Sequence, residues 1–185
     1  MATYVLVDGE NVDWAIGEML GRKPQPEERP RWDRVKTFAE SEFGGPLRSL
    51  FFLAAPDGEF SMPFTQALLA MDFRPVPLRG EGKVVDIAIS RTLEALAKRP
   101  GDIMLLSHDG DFAPELSTLL QSDPNRRVGL LCFPERASTA LRALTDQGLR
   151  LFDLEIQAKV FHPHVRLQRL RAVPIDEFDP EDFLN

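Results

Sequence analysis

The sequence predicts an α/β protein, a three-layer α/β/α sandwich built on a mostly parallel sheet of five or six strands. Short apolar runs recur along the 185 residues. Each is hydrophobic at successive positions, which is typical of strands buried on both faces of a parallel sheet. Longer amphipathic segments separate these runs. Such alternation is the pattern of a sheet with helices on both faces, and the length fits one domain.

Six apolar runs are the predicted strands. Most of them are too short to be helices. In chain order they are Tyr4–Val7, Leu50–Ala55, Val76–Leu78, Ile103–Leu106, Val128–Phe133 and Leu149–Phe152.

Five segments between the runs have apolar residues three or four positions apart, the spacing that places them on one face of a helix. A Ser-Met-Pro sequence precedes the second of these segments, and it suits a helix N-terminus. The predicted helices are Val35–Phe43, Phe64–Met71, Val85–Leu96, Ala113–Leu120 and Ala137–Leu144.

Residues 1–156 form the predicted domain, and residues 157–185 form a C-terminal arm and an acidic tail. Within the domain, Arg22–Arg31 contains three prolines and predicts a loop between two helices. The arm segment Val160–Ala172 is open to two interpretations, a last helix or extended chain. Asp176–Asn185 has five acids and no base, a composition typical of mobile tails. A homodimer or a protein partner held through the arm stays open.

Composition excludes several classes of protein. The formal net charge of −7 and the pI near 5.0 exclude a generic basic nucleic-acid coat and a polybasic membrane binder. The single cysteine, Cys132, excludes an internal disulfide framework and a Cys-rich zinc site. It lies in an apolar run and is expected to be a buried hydrophobe. No apolar stretch approaches the ~18 residues of a membrane span, so we expect no membrane partner and a cytoplasmic location.

Acidic and polar residues follow three of the predicted strands. They are Asp8, Glu10 and Asn11 after the first strand, Lys83 and Asp86 after the third, and Ser107, His108, Asp109 and Asp111 after the fourth. The carboxyl ends of parallel strands meet at one edge of a sheet, where ligands bind. Carboxylates brought together there repel one another unless a cation neutralises them. Mg²⁺ and Mn²⁺ prefer such oxygen ligands.

Each of these residues also has a purely structural interpretation. Asp8 could simply end a strand, and Asn11 could be the N-cap of the next helix. Asp86 could only complement a helix dipole, and Asp109 and Asp111 could be turn and cap residues. The convergence of three segments on one edge favours a functional site over these separate explanations.

Three blocks, VDGEN, KVVDIAIS and LLSHDGDF, together resemble the NYN domain family of PIN-like, metal-dependent ribonucleases. The similarity covers Tyr4 to Asp153, with the blocks in the family's order. The resemblance implies a PIN-like, Rossmann-like topology and a nuclease domain over residues 1–156.

The resemblance also implies roles for individual residues. Asp8, Asp86, Asp109 and Asp111 match the acids that would hold Mg²⁺ or Mn²⁺, and Asn11 would complete the catalytic set. Ser107 and Lys83 match a serine and a lysine near the substrate. His108 departs from the family's usual glycine, so it is either a turn residue, the interpretation we favour, or a substrate contact.

The implied reaction is hydrolysis of RNA phosphodiester bonds, with single-stranded RNA the expected substrate. Cleavage of DNA, exonucleolytic cleavage and the number of metal ions are left open. With the five acids of the tail and five at the strand ends set aside, 19 acids remain against 22 bases, which permits a phosphate-rich partner. Candidate phosphate contacts are the Arg22–Lys36 segment, Arg126, Arg127, Arg136 and Arg142, although these could equally be ordinary solvated side chains. Trp14 and Trp32 are expected in the core, although either could stack on a base.

Three other functions stay open on the sequence. A non-catalytic RNA-binding or regulatory module could use the same fold without cleaving RNA. A phosphatase of the haloacid-dehalogenase type would need an aspartate two residues after Asp8, where the chain has Glu10. A toxin-like nuclease would require an antitoxin partner.

Overall fold

The computed structural model describes residues 1–184, and its core is a six-stranded sheet in which every strand pairing is parallel. The order across the sheet is β3-β2-β1-β4-β5-β6. The predicted α/β class and the mostly parallel sheet are therefore confirmed. The strands are β1 (Thr3–Asp8), β2 (Leu47–Ala54), β3 (Phe73–Leu78), β4 (Asp102–Leu106), β5 (Val128–Cys132) and β6 (Arg150–Asp153).

Helices connect the strands, and all five predicted helices are present. The α-helices are α1 (Gly9–Leu20), α2 (Trp32–Phe43), α3 (Met62–Ala70), α4 (Val84–Leu96), α5 (Ala113–Ser122), α6 (Thr139–Ala143) and α7 (Glu181–Leu184). Short 3₁₀ turns cover Pro26–Glu28, Gly110–Phe112, Pro134–Arg136, Leu144–Gln147 and Ile175–Glu177. The predicted helix Ala137–Leu144 is shorter than expected at both ends, because Ala137 and Ser138 precede its first residue and Leu144 belongs to a 3₁₀ turn.

Two apolar clusters fill the space on either side of the sheet. Helices α1, α2 and α3 contribute to the first cluster, on what we term the α1 face, and α4, α5 and α6 contribute to the second, on the α4 face. Along β4, Met104 and Leu106 join the first cluster while Ile103 and Leu105 join the second. Successive side chains of a strand point to opposite faces of the sheet, and both faces are buried here. The strands are therefore apolar at successive positions. Cys132 is fully buried in the second cluster.

The strand order creates a switch point at the centre of the sheet. From β1 the chain moves outward through β2 and β3 on one side, then returns to β4 on the other side of β1. Connections that leave in opposite directions open a crevice at the carboxyl ends of β1 and β4, the usual ligand site of such folds.

The C-terminal arm is extended and packs on the α1 face. Between β6 and Ile175 the described chain contains neither helix nor strand, so the extended interpretation of this segment is correct. Ala158, Val160, Phe161 and Val165 are buried in the same apolar cluster as α1 and α2. The first part of the arm thus covers apolar surface that the helices leave exposed.

Arg169 fastens the arm to the carboxyl ends of β5 and β6. Its guanidinium donates to both carboxylate oxygens of Glu135 at 2.7 Å and to those of Asp153 at 2.9 and 2.6 Å. It also lies over the Phe133 ring, 5.1 Å from the centroid. Burial alone would raise the pKa of Glu135 and of Asp153, but the hydrogen bonds and charge of Arg169 hold both below their usual values.

Several sequence-based expectations are wrong. Trp14 is 55% exposed on α1, whereas Trp32 is buried as expected. Arg126 and Arg127 precede β5 and therefore lie at the amino edge of the sheet, where Arg127 pairs with Asp102 at the start of β4. They cannot contact phosphates at the opposite edge.

The acidic tail is exposed where it is described. Residues 176–184 include a 3₁₀ turn and the one-turn helix α7, and Asn185 lies outside the described residues. Among residues 1–184, no helix combines the length and the apolar character needed to cross a lipid bilayer.

Removing the Arg169 side chain should destabilise the protein. Arg169→Ala leaves two partly buried carboxylates without their partner, which typically costs about 3 kcal/mol of unfolding free energy. Urea denaturation should show this loss. The exposed neighbour substitution Arg171→Ala should stay within about 0.5 kcal/mol of wild type. Equal stabilities of the two variants would contradict the role given to Arg169.

Candidate metal centre

The predicted site residues lie at the carboxyl edge of the sheet, on separate elements around the switch point. Asp8 is the last residue of β1, and Ser107 directly follows β4. Asp86 occupies the first turn of α4. Asp109 is the N-cap of the 3₁₀ turn Gly110–Phe112, and its carboxylate accepts the Asp111 N–H at 2.9 Å. The cap interpretation of Asp109 is therefore correct, and it leaves the second carboxylate oxygen available for other contacts.

Three of the four predicted ligands form a compact group. Asp86, Asp109 and Asp111 each offer a carboxylate oxygen, and these oxygens all lie within 4.8 Å of one another. Asp86 and Asp109 are half-buried and Asp111 is exposed. Burial and then the charge of Asp109 raise the pKa of Asp86. These carboxylates repel one another, and their oxygens are the hard donors that Mg²⁺ and Mn²⁺ prefer, so the group fits either ion.

The Lys83 ammonium already supplies part of the missing positive charge. Its Nζ lies 3.0 Å from an oxygen of Asp111 and 3.7 Å from one of Asp86. The hydrogen bond to Asp111, followed by the nearby carboxylate charges, raises the pKa of Lys83. Lys83 is an exposed side chain held at the edge of the acid group.

Asp8 lies deeper than the three-acid group and is not a member of it. Only 2% of Asp8 is exposed. Ser107 Oγ donates to its Oδ2 at 2.9 Å, and the backbone N–H of Asn11 donates to Oδ1 at 3.4 Å. Burial raises the pKa of Asp8 to about 6. This value includes the lowering effect of the two hydrogen bonds and the smaller raising effects of the Asp86 and Asp109 charges. The buried Asp8 carboxylate is therefore repelled by two members of the three-acid group.

Asn11 connects the first and fourth strands instead of capping a helix. Helix α1 begins at Gly9 and Asp8 is its N-cap, so the N-cap interpretation of Asn11 is wrong. The side-chain oxygen of Asn11 accepts the backbone N–H of His108 at 2.8 Å and lies 2.9 Å from His108 Nδ1.

The His108 ring is an internal connector between strand ends. It is 4% exposed and stacked on Phe133, with centroids 5.7 Å apart and planes 12° apart. Nε2 accepts the Phe133 N–H at 2.9 Å, so the proton resides on Nδ1, which donates to Asn11. Burial, and then the charge of Arg136, lower the pKa of His108 to about 4. The ring has no nitrogen free for a substrate, so the geometry favours the turn interpretation over a substrate contact.

Arg136 ends the 3₁₀ turn after β5 and is half-buried at this same edge.

The contacts that sequence reasoning missed are those of Phe133 and Arg169. Phe133 stacks on His108 and also on Phe161 of the arm, the latter with centroids 6.0 Å and planes 14° apart. An apolar residue directly after a strand carries no sequence signal for such a role.

Comparison with known proteins agrees with this geometry. The family model of the NYN domain matches residues 2–152. The chain belongs to the NYN domain family. This is a family of PIN-like nucleases, and the three-acid group of Asp86, Asp109 and Asp111 lies at the switch point of its sheet.

A solved structure supports the fold assignment. A protein of unknown function from Vibrio parahaemolyticus RIMD 2210633 superposes with a TM-score of 0.64 at 18% identity, covering 84% of this chain and 94% of that one. Identity this low shows a shared fold alone. A search of curated proteins gives no match.

The raised pKa of Asp8 predicts how stability depends on pH without metal. Because the folded protein holds this proton more tightly than the unfolded chain, unfolding free energy should fall as pH rises from about 4 to about 6. Asp8→Asn should lack this part of the decline and be about 1–3 kcal/mol more stable at pH 7 in EDTA. Denaturation at several pH values measures both quantities.

The exposed substitution Asp57→Asn, in the turn after β2, serves as the control and should retain the wild-type pH profile. An unchanged profile in Asp8→Asn would show that Asp8 does not experience the burial described here.

Proposed function

We propose that this protein is a metal-dependent ribonuclease that hydrolyses RNA phosphodiester bonds. The observation that carries the proposal is the group of three carboxylates, Asp86, Asp109 and Asp111, within 4.8 Å of one another at the switch point of an NYN-family sheet. Few arrangements other than a divalent cation site make such a cluster favourable.

Asp86, Asp109 and Asp111 would hold Mg²⁺ or Mn²⁺, with Asp8 contributing its carboxylate from beneath. When bound, the ion would polarise a phosphoryl oxygen and lower the pKa of a coordinated water. Its positive charge would also lower the pKa of Asp8 and of Asp86, which favours the ionised carboxylates that bind a cation.

The surrounding residues would hold these carboxylates in place. Ser107 fixes one oxygen of Asp8 at 2.9 Å, and Asn11 holds the loop after β4 through His108. Such outer contacts orient metal ligands. Lys83, once displaced from Asp111 by the ion, would be free to contact a substrate phosphate.

RNA is the proposed substrate because the chain is an NYN-family member with a mildly basic surface outside its acidic groups. Arg136 lies at the carboxyl edge and is the proposed phosphate contact among the later arginines. Single-stranded RNA suits a shallow crevice at a sheet edge, because its backbone can follow the edge without a duplex to accommodate.

Cleavage of a labelled single-stranded RNA with Mn²⁺ tests the proposal. Wild type should cleave, and Asp86→Asn should be about 10²–10³-fold slower, since a lost metal ligand removes several kcal/mol of transition-state stabilisation. Asp57→Asn, which changes an exposed acid at the same sheet edge, should match wild type. If wild type is as inert as Asp86→Asn while both bind RNA, the protein is instead a non-catalytic RNA-binding module.

Lys83 competes with a cation for Asp111, so its removal should tighten metal binding. Lys83→Met eliminates the ammonium 3.0 Å from Asp111, and Mn²⁺ affinity, measured by calorimetry, should rise a few-fold. Lys98→Met, which changes a lysine outside the acid group, should leave the affinity unchanged. Weaker Mn²⁺ binding in Lys83→Met would contradict a site built from Asp111.

A further inference from the structure

A cavity of about 580 Å³ opens on the α1 face at the carboxyl edge of the sheet. It lies between the start of α1, the end of β2, α3 and the segment from Pro26 to Trp32. Residues that matter for its chemistry are Glu10, Arg29, Trp32, Phe51, Ser61 and Phe64. None of them belongs to the three-acid group.

Aromatic rings form one wall of this cavity. Phe51 contacts Trp32 edge-on, with centroids 4.9 Å apart and planes at 82°. Phe51 contacts Phe64 in the same way, at 5.3 Å and 80°. Edge-to-face contacts fix the orientation of each ring. Phe64, which is half-buried on α3, remains accessible to a ligand.

The cavity lies at the same edge of the sheet as the candidate metal centre, and its lining includes the first two residues of α1, Gly9 and Glu10, which follow Asp8. Asp8 itself pairs with Phe52 in the register of β1 and β2. Gly9 permits this proximity, because a Cβ at this position would lie 2.7 Å from Phe51 Cε1. The backbone at Gly9 therefore separates the cavity from Asp8 by one position in the sequence.

Polar groups are few and lie at the rim. Arg29 Nε donates to both oxygens of Asp13 at 3.0 Å, which holds the guanidinium beside the opening. Glu10 is exposed, and Ser61 Oγ accepts the Phe64 N–H at 3.4 Å as the cap of α3. Apolar walls with a small number of polar groups are typical of sites for compact ligands, and this volume is within their usual range.

We propose that this cavity binds one nucleobase of the RNA strand, near the phosphate that a bound cation and Lys83 would contact at the acid group. A base is planar and apolar on its faces, so it can pack against the half-buried Phe64 ring. Trp32 and Phe51, which are 6% and 3% exposed, support that ring from behind and report on the cavity. The edge of the base carries donors and acceptors that suit Glu10, Arg29 and Ser61. The inference rests on the proposed function for its choice of ligand, and it gives the enzyme a means of preferring some bases over others at the cleavage site.

Fluorescence of Trp32 measures the binding directly and without catalysis. The chain has two tryptophans, so Trp14→Phe leaves Trp32 as the only one. Titration with each of the four ribonucleoside 5′-monophosphates, in EDTA, should give saturable quenching that differs among the bases. Phe64→Ala in the same background should weaken binding about tenfold or more, since removing an aromatic partner from a stacked base has effects of this size.

Two variants keep the test decisive. Phe64→Tyr preserves the ring and should preserve binding, and Phe178→Ala removes an exposed phenylalanine of the tail and should change nothing. Thermal melting confirms that each variant is folded. Unsaturable quenching by all four nucleotides, or equal affinity of wild type and a folded Phe64→Ala, would overturn the proposal.

The two proposals fail in distinguishable ways. Nucleotide binding at Trp32 without RNA cleavage would refute the nuclease and leave the base pocket intact. If wild type and Phe64→Ala both cleave RNA with the same KM and the same base preference, the base pocket is refuted and the nuclease proposal stands.

Discussion

Repulsion among carboxylates at one point of the sheet is the constraint on which the rest of the structure depends. Asp8, Asp86 and Asp109 come from three different segments, and burial together with mutual charge raises the pKa of both Asp8 and Asp86. A fold that places acids this close must supply compensation. Ser107, the N–H of Asn11 and the Lys83 ammonium supply part of it, and a divalent cation would supply the remainder.

The scaffold that holds these acids extends well beyond them. Asn11 binds His108, His108 stacks on Phe133, and Phe133 also stacks on Phe161 of the arm. Arg169 lies over the Phe133 ring and pairs with Glu135 after β5 and with Asp153 at the end of β6. The C-terminal arm is therefore in physical contact with the elements that position the site, and the neutral, Nδ1-protonated His108 is the connection between them.

The class of fold and the acids of the site could be predicted from the sequence, because both depend on patterns of neighbouring residues. Continuous apolar runs predict strands buried on both faces, and helical spacing predicts α2 to α6, so the class of fold follows from periodicity. The acids at strand ends are also visible, since parallel topology brings those ends together. The sequence could not show which side chains from distant parts of the chain come into contact. Nothing in the sequence pairs His108 with Phe133, places Trp14 outside the core, or reveals that Arg126 and Arg127 precede a strand and so lie at the wrong edge. The cavity beside Asp8 likewise depends on how α3 packs over β2.

The central claim is that Asp86, Asp109 and Asp111 form a divalent metal centre. Anomalous diffraction from crystals grown with Mn²⁺ tests it most directly, because the signal locates the ion without assuming its ligands. We expect a peak bonded to oxygens of all three aspartates at the 2.0–2.6 Å typical of hard cations, with the Lys83 ammonium moved away from Asp111. The claim would be contradicted if crystals at saturating Mn²⁺ showed no anomalous peak among the three aspartates and Asp111 were still paired with Lys83.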